Sequence, residues 1–523
     1  MKFTKISFIW TELKHVRIFP RPAFCFDNDA PPVLENTVAV NTMDLRVYNT
    51  ISGKKEVFTP IEEGKVKMYA CGVTVYDHCH IGHARSGIVF DTVYRYLGKK
   101  GYNVVFVKNF TDIDDKIIKK SQQEQIPWQA VGEKYIASFY EDMDALNIMR
   151  PTHEPRATQH IDDMVNLVDT LLKKGHAYVA DGDVYFSVES YRGYGGLSKR
   201  PLDEMLAGAR VEVGEKKKNP LDFALWKASK EGEPSWNTPF GAGRPGWHIE
   251  CSAMSTRYLG NPFDIHGGGK DLIFPHHENE RAQTEAATGS TFVNYWIHNG
   301  FVNIDREKMS KSIGNTLLIK DFLKEYHPEV LRLFFLTTHY RSPVDYSDRS
   351  IEDANNALHR LYYTYGRGIE VLKGKDIKPT VYPEADELEK KFYEAMDDDF
   401  NTALALSYIF ELSKNINKLI DDKDESAAPL IAYINAAFSS LSETLGLLKD
   451  EPAAWENQEK VRCLRRIGLD ESFVENAILE RAEARKNKNY QKSDEIRNTL
   501  SEKGIALLDT PKGTEWRIKF TVS

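Results

Sequence analysis

Residues 66–98 constrain this chain more than any other stretch, because they change period once and carry reactive side chains at the change. Val66, Met68 and Ala70 alternate with Lys65, Lys67 and Tyr69, a period of two that reads as a strand. The chain is expected to turn at Cys71-Gly72. From about Ile81 the spacing is helical: Ile88, Val89, Val93, Tyr96 and Leu97 share a face, and Gly98 can end the helix. The loop between carries Cys71, Cys79, His80 and His83. Ligands of open α/β sheets bind at the carboxyl ends of strands, where such loops lie. His80 and His83 fall one turn apart at the helix start, where unpaired backbone N–H groups and the macrodipole favour an anion. The stretch reads as a phosphate-handling element with a thiol close upstream.

The alternation continues. Tyr102–Lys108 is rich in β-formers, and Asn109–Lys116 leads into a helical run over 117–147. Strand–helix–strand order implies a doubly wound parallel sheet, so 44–160 reads as the first half of a Rossmann-like catalytic domain. Residues 161–262 break the pattern with a helix at 162–173, short strands at Ala177–Ala180 and Val184–Ser187, and a Gly- and Lys-rich stretch. They read as an inserted connective region. Residues 263–350 return to α/β character as the second half of the catalytic domain. Residues 351–455 carry apolar residues at helical spacing and read as a helical bundle, with a charged loop at Asp421–Glu425. Residues 456–523 form a small C-terminal α+β module.

Charge and cysteine usage narrow the function classes. The net charge of −8 rules out a polycation, so any nucleic-acid contact needs a local basic patch. Five scattered cysteines point to a reducing compartment and to metal or catalytic use rather than a disulfide framework. No stretch approaches the ~20 apolar residues of a membrane span. Residues 1–43 stand apart: the first 26 carry five Lys or Arg against the single acid Glu12. They read as a disordered extension, or as a start assigned upstream of Met43, in a cytoplasmic protein. An organellar transit peptide is the alternative.

Two motifs carry phosphate chemistry. In His80-Ile-Gly-His83 the imidazoles can donate to phosphate oxygens, and Gly82 lets a nucleotide approach the backbone. In Lys308-Met-Ser-Lys-Ser312 two lysines three apart can wrap a polyphosphate and neutralise it as it departs, and Ile313-Gly314-Asn315 lets the loop close. A further set consists of Cys71, Cys251, His276 and Glu280, the last two at i and i+4 on a helix that Pro275 can start. All four are good zinc ligands. Spacing alone does not unite them, and two buried cysteines with a capping histidine read equally well. Asp112, Asp114 and Asp115 resemble a metal cluster but read better as helix caps.

In this order and on an α/β frame, His80-Ile-Gly-His83 and Lys308-Met-Ser-Lys-Ser312 resemble the two signatures of class I aminoacyl-tRNA synthetases, covering about residues 44–523. Tyr69-Ala-Cys-Gly-Val-Thr-Val-Tyr-Asp77, Gly246-Trp-His-Ile-Glu-Cys251 and Asp264-Ile-His-Gly-Gly-Gly269 resemble the cysteinyl-tRNA synthetases. The resemblance implies ATP-dependent activation of L-cysteine to cysteinyl-adenylate and transfer to the 3′ end of tRNA(Cys), by a monomer. His80, Gly82, His83 and Lys311 would bind ATP, carried with Mg²⁺, and Lys308 and Lys311 would stabilise the leaving pyrophosphate. Cys71, Cys251, His276 and Glu280 would hold one zinc in the cysteine pocket, with His277, Glu278 and Cys79 in supporting positions. Gly72, Thr111 and Trp247 would line that pocket, although Trp247 reads equally well as a core residue. The loops at Gly267-Gly268-Gly269 and His298-Asn-Gly300 would lie against the adenosine; taken alone they are tight turns. Metal–thiolate bonding separates cysteine from serine where van der Waals contacts would do so weakly, so no editing site is needed.

The resemblance also implies an anticodon-reading module at the C-terminus. Arg481, Arg485, Lys486, Lys488, Lys492 and Arg497 outnumber Glu483, Asp494 and Glu495, and Trp516 follows at the end of a turn-rich stretch. Basic residues beside an exposed aromatic suit a single-stranded RNA loop; taken alone, the charges are a solvated helix face. Competing readings are a ligase joining cysteine to a small amine, such as the mycothiol-pathway paralogue, which should lack this module; a noncatalytic RNA-binding relative, which should carry damaged motifs; and a zinc with a purely structural role.

Overall fold

Residues 65–111 do form two parallel strands around a helix, and they set the frame of the molecule. A computed structural model describes residues 44–200, 216–304, 307–309, 316–510 and 513–519. Residues 1–43, with all three readings of that segment, lie outside the described residues, as does Lys311. The central sheet has the spatial order Val293–Asn299, Phe263–Gly269, Lys65–Thr74, Asn103–Thr111, all parallel. The chain starts in the middle, winds outward through Asn103–Thr111, and returns to fill the other side. The order reverses between Lys65–Thr74 and Phe263–Gly269, and the crevice at such a switch point is where open α/β sheets bind ligands.

Each face of the sheet buries its own core. The helix Ile81–Lys99 lays Ile88, Val93, Tyr96 and Leu97 on one face against Val66, Met68, Phe106, Ile265 and Ile297. Fully burying each such side chain contributes about 1.5–3 kcal/mol. On the other face Tyr69, Cys71 and Val107 meet Ile249, Met254, Phe263 and Trp296. That side is covered by the helices Ile161–Lys173 and Trp247–Leu259. The inserted region is a five-stranded antiparallel sheet in the order Ala177–Ala180, Asp183–Phe186, Phe223–Ala228, Gly241–Pro245, Trp236–Thr238. The helical run expected over 117–147 is two helices, Asp115–Glu124 and Trp128–Ala145. Gln125 in a left-handed conformation and Pro127 at the cap of the second helix divide them.

The helices Asp348–Leu372, Pro383–Asp397, Thr402–Asp421 and Ala428–Thr444 form the bundle. It is tied to the sheet by Arg332, fully buried, which donates to Asp91 of the helix Ile81–Lys99 at 2.7 Å and to the carbonyls of Leu146, Asn147 and Leu445. A buried guanidinium is tolerated only when its donors are matched in this way. The helix Pro452–Arg466 sends Trp455 into the bundle core and Leu464 into the terminal core, so the sequence division at 455/456 falls inside it. Beyond it come Glu471–Lys486, Tyr490–Glu502 and the hairpin Ile505–Thr510/Gly513–Ile518. A cavity of about 750 Å³, lined by Tyr362, Tyr363, Trp455, Leu508 and Arg517, separates this hairpin from the bundle.

Candidate active site

The strand does not stop at Cys71. It runs on to Thr74 through a bulge: Ala70 pairs with Lys108 and Val73 with Phe110, so Cys71 and Gly72 face Asn109 alone. A bulge bends its strand and redirects side chains. Gly72 is obligatory there, because a Cβ would lie 1.5 Å from the Asn109 carbonyl oxygen. The sequence shows turn-like residues at this point, whereas the bend comes from pairing with a strand some forty positions on, hence the misread turn.

The bulge delivers Cys71 into a buried group of donors. Cys71 Sγ lies 3.8 Å from Cys251 Sγ and 3.5 Å from Glu280 Oε1, His276 Nε2 lies 3.6 Å from Cys251 Sγ and 2.9 Å from Glu280 Oε1. These four ligand atoms lie within 4.8 Å of one another. Cys251 sits on the helix Trp247–Leu259, whose cap Gly246 packs so tightly that a Cβ would meet the Ala224 carbonyl oxygen at 2.0 Å. His276 and Glu280 keep the expected i, i+4 spacing, but the regular helix begins only at Glu278, after an irregular turn Ile273–His277. Pro275 therefore lies in that turn and does not open the helix.

The electrostatics of the group are those of a site built for a cation. Burial pushes the Cys71 thiol up, whereas its hydrogen bond holds the Cys251 thiol down at about 6. Burial opposes charge on His276, but the Glu280 carboxylate overrides it and lifts the imidazole to about 10. Glu280 itself is held well below the usual carboxylate range, because the charges of His266 and His276 outweigh its burial. His276 and Glu280 thus form a buried ion pair at the centre of the group. Two thiols, an imidazole and a carboxylate match the ligand types of zinc.

A second, overlapping group joins Cys71 and Glu280 to His266 and His277. His277 Nε2 is 3.2 Å from Cys71 Sγ, and its Nδ1 is 2.8 Å from His298 Nε2, whose other nitrogen meets Thr50 Oγ1 at 2.7 Å. His266 Nε2 lies 2.8 Å from Glu280 Oε2. Only the first group holds both thiols, the softer donors that favour zinc. Glu278 accepts from the N–H groups of Leu197 and Ser198 and braces the inserted region; Cys79 is buried, and its carbonyl accepts from Ile319 N–H at 3.0 Å.

Thr111, 3 % exposed, donates to Glu250 at 2.6 Å. Trp247 is no core residue: it is 38 % exposed and stacks on His276 with ring centroids 4.0 Å apart. Gly267-Gly268-Gly269 and His298-Asn299 are not turns but paired residues of adjacent parallel strands, Gly268 opposite His298. Gly267 makes room for the Phe90 ring, which a Cβ would meet at 2.1 Å, and Gly268 for His277. Asp114 caps the helix Asp115–Glu124, as expected; Asp112 accepts from Thr158, and Asp115 pairs with Lys227 and Arg244.

His80 and His83 open the helix Ile81–Lys99 with their rings stacked 3.8 Å apart, His83 Nδ1 accepting the His80 N–H at 3.2 Å. The second motif reaches the same place. Ile81 N–H donates to the Leu317 carbonyl, Ile319 N–H to that of Cys79, and Met309 Cε would lie 2.9 Å from a Cβ at Gly82. Lys308 enters through its backbone pairing with Asn303; Lys311 lies outside the described residues.

Asn109, Glu250 and His266 were missed by the sequence reading. His266 carried a signal, since alternation along Phe263–Gly269 points it to the same side of the sheet as Tyr69 and Trp296. Asn109 and Glu250 carried none, being polar residues with no local partner.

In the C-terminal module the basic helix and the aromatic differ from the expectation. Arg481 is buried and forms a double hydrogen bond to Asp509 at 2.8 and 3.0 Å, joined by Arg485. Trp516 packs against Leu464, Val474, Leu500 and Ile505 in the module's core, so it is not an exposed stacking aromatic. The exposed aromatics among the module's described residues are Phe473 and Tyr490, the latter at the start of the helix Tyr490–Glu502 beside exposed Lys488, Lys492 and Arg497.

The chain is similar to known proteins over most of its length. Residues 57–356 match the class I (C) tRNA synthetase catalytic domain family, and residues 391–449 the DALR domain family. A cysteine–tRNA ligase of Geobacter metallireducens is 53 % identical over 486 residues, covering 91 % of this chain and all of that protein. One of Pelobacter propionicus is 51 % identical over 493 residues with the same coverage. Among solved structures, the fold is similar to a Mycobacterium tuberculosis methionyl-tRNA synthetase at 17 % identity and a TM-score of 0.53, over 78 % of this chain and 94 % of that one.

Proposed function

The chain belongs to the cysteine–tRNA ligase family of class I tRNA synthetases, and from that premise we propose that it charges tRNA(Cys) in two steps, activating L-cysteine with ATP to cysteinyl-adenylate and passing the cysteinyl group to the 3′-terminal ribose. The observation that carries this reading is the buried group Cys71, Cys251, His276 and Glu280, set on the same strand–loop–helix as His80 and His83. These four residues would hold one zinc ion. Zinc supplies a soft Lewis-acid position that takes a thiolate far better than a hydroxyl.

The rest of the chemistry belongs to the chain. The substrate carboxylate attacks the α-phosphate in line, so catalysis is positioning and charge stabilisation. His80, Gly82 and His83 receive the phosphates at the helix N-terminus. Lys308 and Lys311 neutralise the departing pyrophosphate, with Mg²⁺ arriving on the ATP. Gly72, Thr111 and Trp247 line the amino-acid pocket, the Trp247 ring stacked on His276.

The domain division that accompanies this reading is a catalytic domain over 44–160 and 263–350, an inserted region over 161–262, a bundle over 351–455 and an anticodon-binding module over 456–523. The enzyme would act as a monomer in the cytoplasm; among the described residues no helix is long and apolar enough to cross a membrane. Cysteine-dependent exchange of pyrophosphate into ATP in the absence of tRNA tests the reading. The expected result is exchange with cysteine and none with serine; no exchange with cysteine would sink it.

A further inference from the structure

Besides Arg332, the bundle reaches the catalytic sheet at a second point, and there it grips a loop that touches both signature motifs. Residues 339–343 follow the helix Pro328–Leu336 and cross the carboxyl ends of two central strands. The Tyr340 carbonyl accepts the Gly300 N–H at 2.8 Å, just past the strand Val293–Asn299. The Arg341 carbonyl accepts Lys270 Nζ–H at 2.7 Å, just past Phe263–Gly269. The Tyr340 and Ser342 carbonyls also accept from Arg85, buried near the start of the helix that His80 and His83 open. The approach is close, since a Cβ at Gly300 would lie 2.3 Å from the Ser342 carbonyl oxygen. Beyond the loop, Val344–Tyr346 pairs with Val302–Ile304, whose other edge pairs with Glu307–Lys308. Residues 339–346 thus connect the helix of the first motif to the strand that begins the second.

Asp399 holds this loop from the bundle side. It is fully buried in the connection between the helices Pro383–Asp397 and Thr402–Asp421, with a left-handed φ of 65°. Aspartate and asparagine tolerate that backbone better than most side chains, and it persists where the surroundings impose it. Asp399 Oδ1 accepts the Tyr48 N–H and the Tyr340 hydroxyl, both at 2.8 Å, and Oδ2 accepts Arg341 Nε–H at 2.6 Å. The Arg341 guanidinium also lies over the Tyr48 ring, 4.4 Å from its centroid. The carboxylate therefore fixes the side chains of the two residues whose carbonyls hold the strand ends. Resting on the function proposed above, we propose that Asp399 and Arg341 are positioning residues for adenylate formation. Their ion pair sets the loop, and the loop sets the spacing between the helix of His80 and His83 and the strand Glu307–Lys308. Transition-state stabilisation depends on that spacing, because one motif receives the phosphates and the other neutralises the departing pyrophosphate. Cys71 and Cys251 pack in the core on the other face of the sheet, so thiol binding does not.

Asp399→Asn tests this. It tolerates the left-handed backbone and keeps an acceptor for Tyr48 and Tyr340, but removes the charge that holds Arg341. Pyrophosphate exchange is measured on zinc-loaded full-length protein, well below the melting temperature of each variant. Asp399→Asn and Arg341→Met are each expected to lower kcat about 100-fold, the effect of a misplacement of about 1 Å, with the KM for cysteine and the zinc content near their original values. Arg341→Lys, which keeps the charge, is expected to recover most of the loss. The double variant Arg341→Met/Asp399→Asn is expected to lose no more than either single one, because both remove the same ion pair. If Asp399→Asn does not fold, Arg341→Met and Arg341→Lys, at a half-buried position, carry the same expectation. An unchanged kcat, a rise in the KM for cysteine as large as the fall in kcat, or no recovery with Arg341→Lys overturns the proposal, as do losses that multiply in the double variant. An original protein without cysteine-dependent exchange overturns the underlying function instead.

Discussion

The thiol pocket brings Cys71 to Glu280 across 209 positions of sequence, and its four donor residues are buried. The C-terminal module is one contiguous stretch whose main ion pair, Arg481 with Asp509, spans 28 positions, and whose buried core is six residues including Trp516. The pocket is held by two large cores on either face of a sheet; the module rests on the bundle across a cavity of about 750 Å³. The contrast teaches where rigidity is placed. Selecting one thiol over one hydroxyl requires fixed donors, and fixed buried donors require long-range packing. A module proposed to read RNA from its surface can be local and small.

The largest expected effect breaks the pocket alone. Cys251→Ser replaces a soft ligand by a hard one, and because residues that merely support metal ligands already cost about 10–100-fold, zinc content and cysteine affinity should fall together by more than that. Metal analysis beside exchange kinetics checks it; loss of zinc with normal cysteine binding would make the metal structural. Next, ending the chain after Gly468, beyond the helix that carries Trp455, should leave cysteine-dependent exchange intact and abolish tRNA charging. If charging survives, the module does not read tRNA. Smaller effects separate the module's two kinds of charge. Arg481→Ala should destabilise the module by about 1.5–3 kcal/mol in thermal melts, because it removes the charge-assisted bonds to Asp509, whereas exposed Arg497→Ala should leave stability unchanged and weaken tRNA binding in a salt-dependent way. The smallest is an acid effect. Arg481 holds the Asp509 carboxyl below its ordinary range. The resulting stability is therefore complete above about pH 4 and is lost as pH falls through the lowered value, so the gap between the original protein and Arg481→Ala should narrow below pH 4.

Legibility in the sequence followed the same divide. The period of two through Val66, Met68 and Ala70 and the helical face of Ile88, Val93 and Leu97 were visible because each depends on neighbours. The spacing of His276 and Glu280 was visible for the same reason. The bulge at Cys71-Gly72 was not, since it exists only in the pairing with Asn109. Asn109 and Glu250 look like any capping or surface residue until their partners arrive from Gly72 and Thr111. The error at Arg481 and Trp516 has the same root. A run of charge on a helix says nothing of an aspartate on a later hairpin, and an aromatic after a turn says nothing of which way it faces.

The bulge also settles a question of parity. Up to Ala70 the even-numbered residues Val66, Met68 and Ala70 point to one core, and Tyr69 and Cys71 to the other. Past Gly72 the odd-numbered Val73 and Val75 point to the first core. One additional residue thus shifts the phase of the rest of the strand. Deleting Gly72 would give the regular ladder and leave Val73 and Val75 on the face they now occupy, but Cys71 would become an ordinary ladder residue opposite Asn109 without the redirection a bulge supplies. The register of this chain is counted from its irregularity, because the extra residue at the bulge places Ala70 and Val73, three positions apart, on one face.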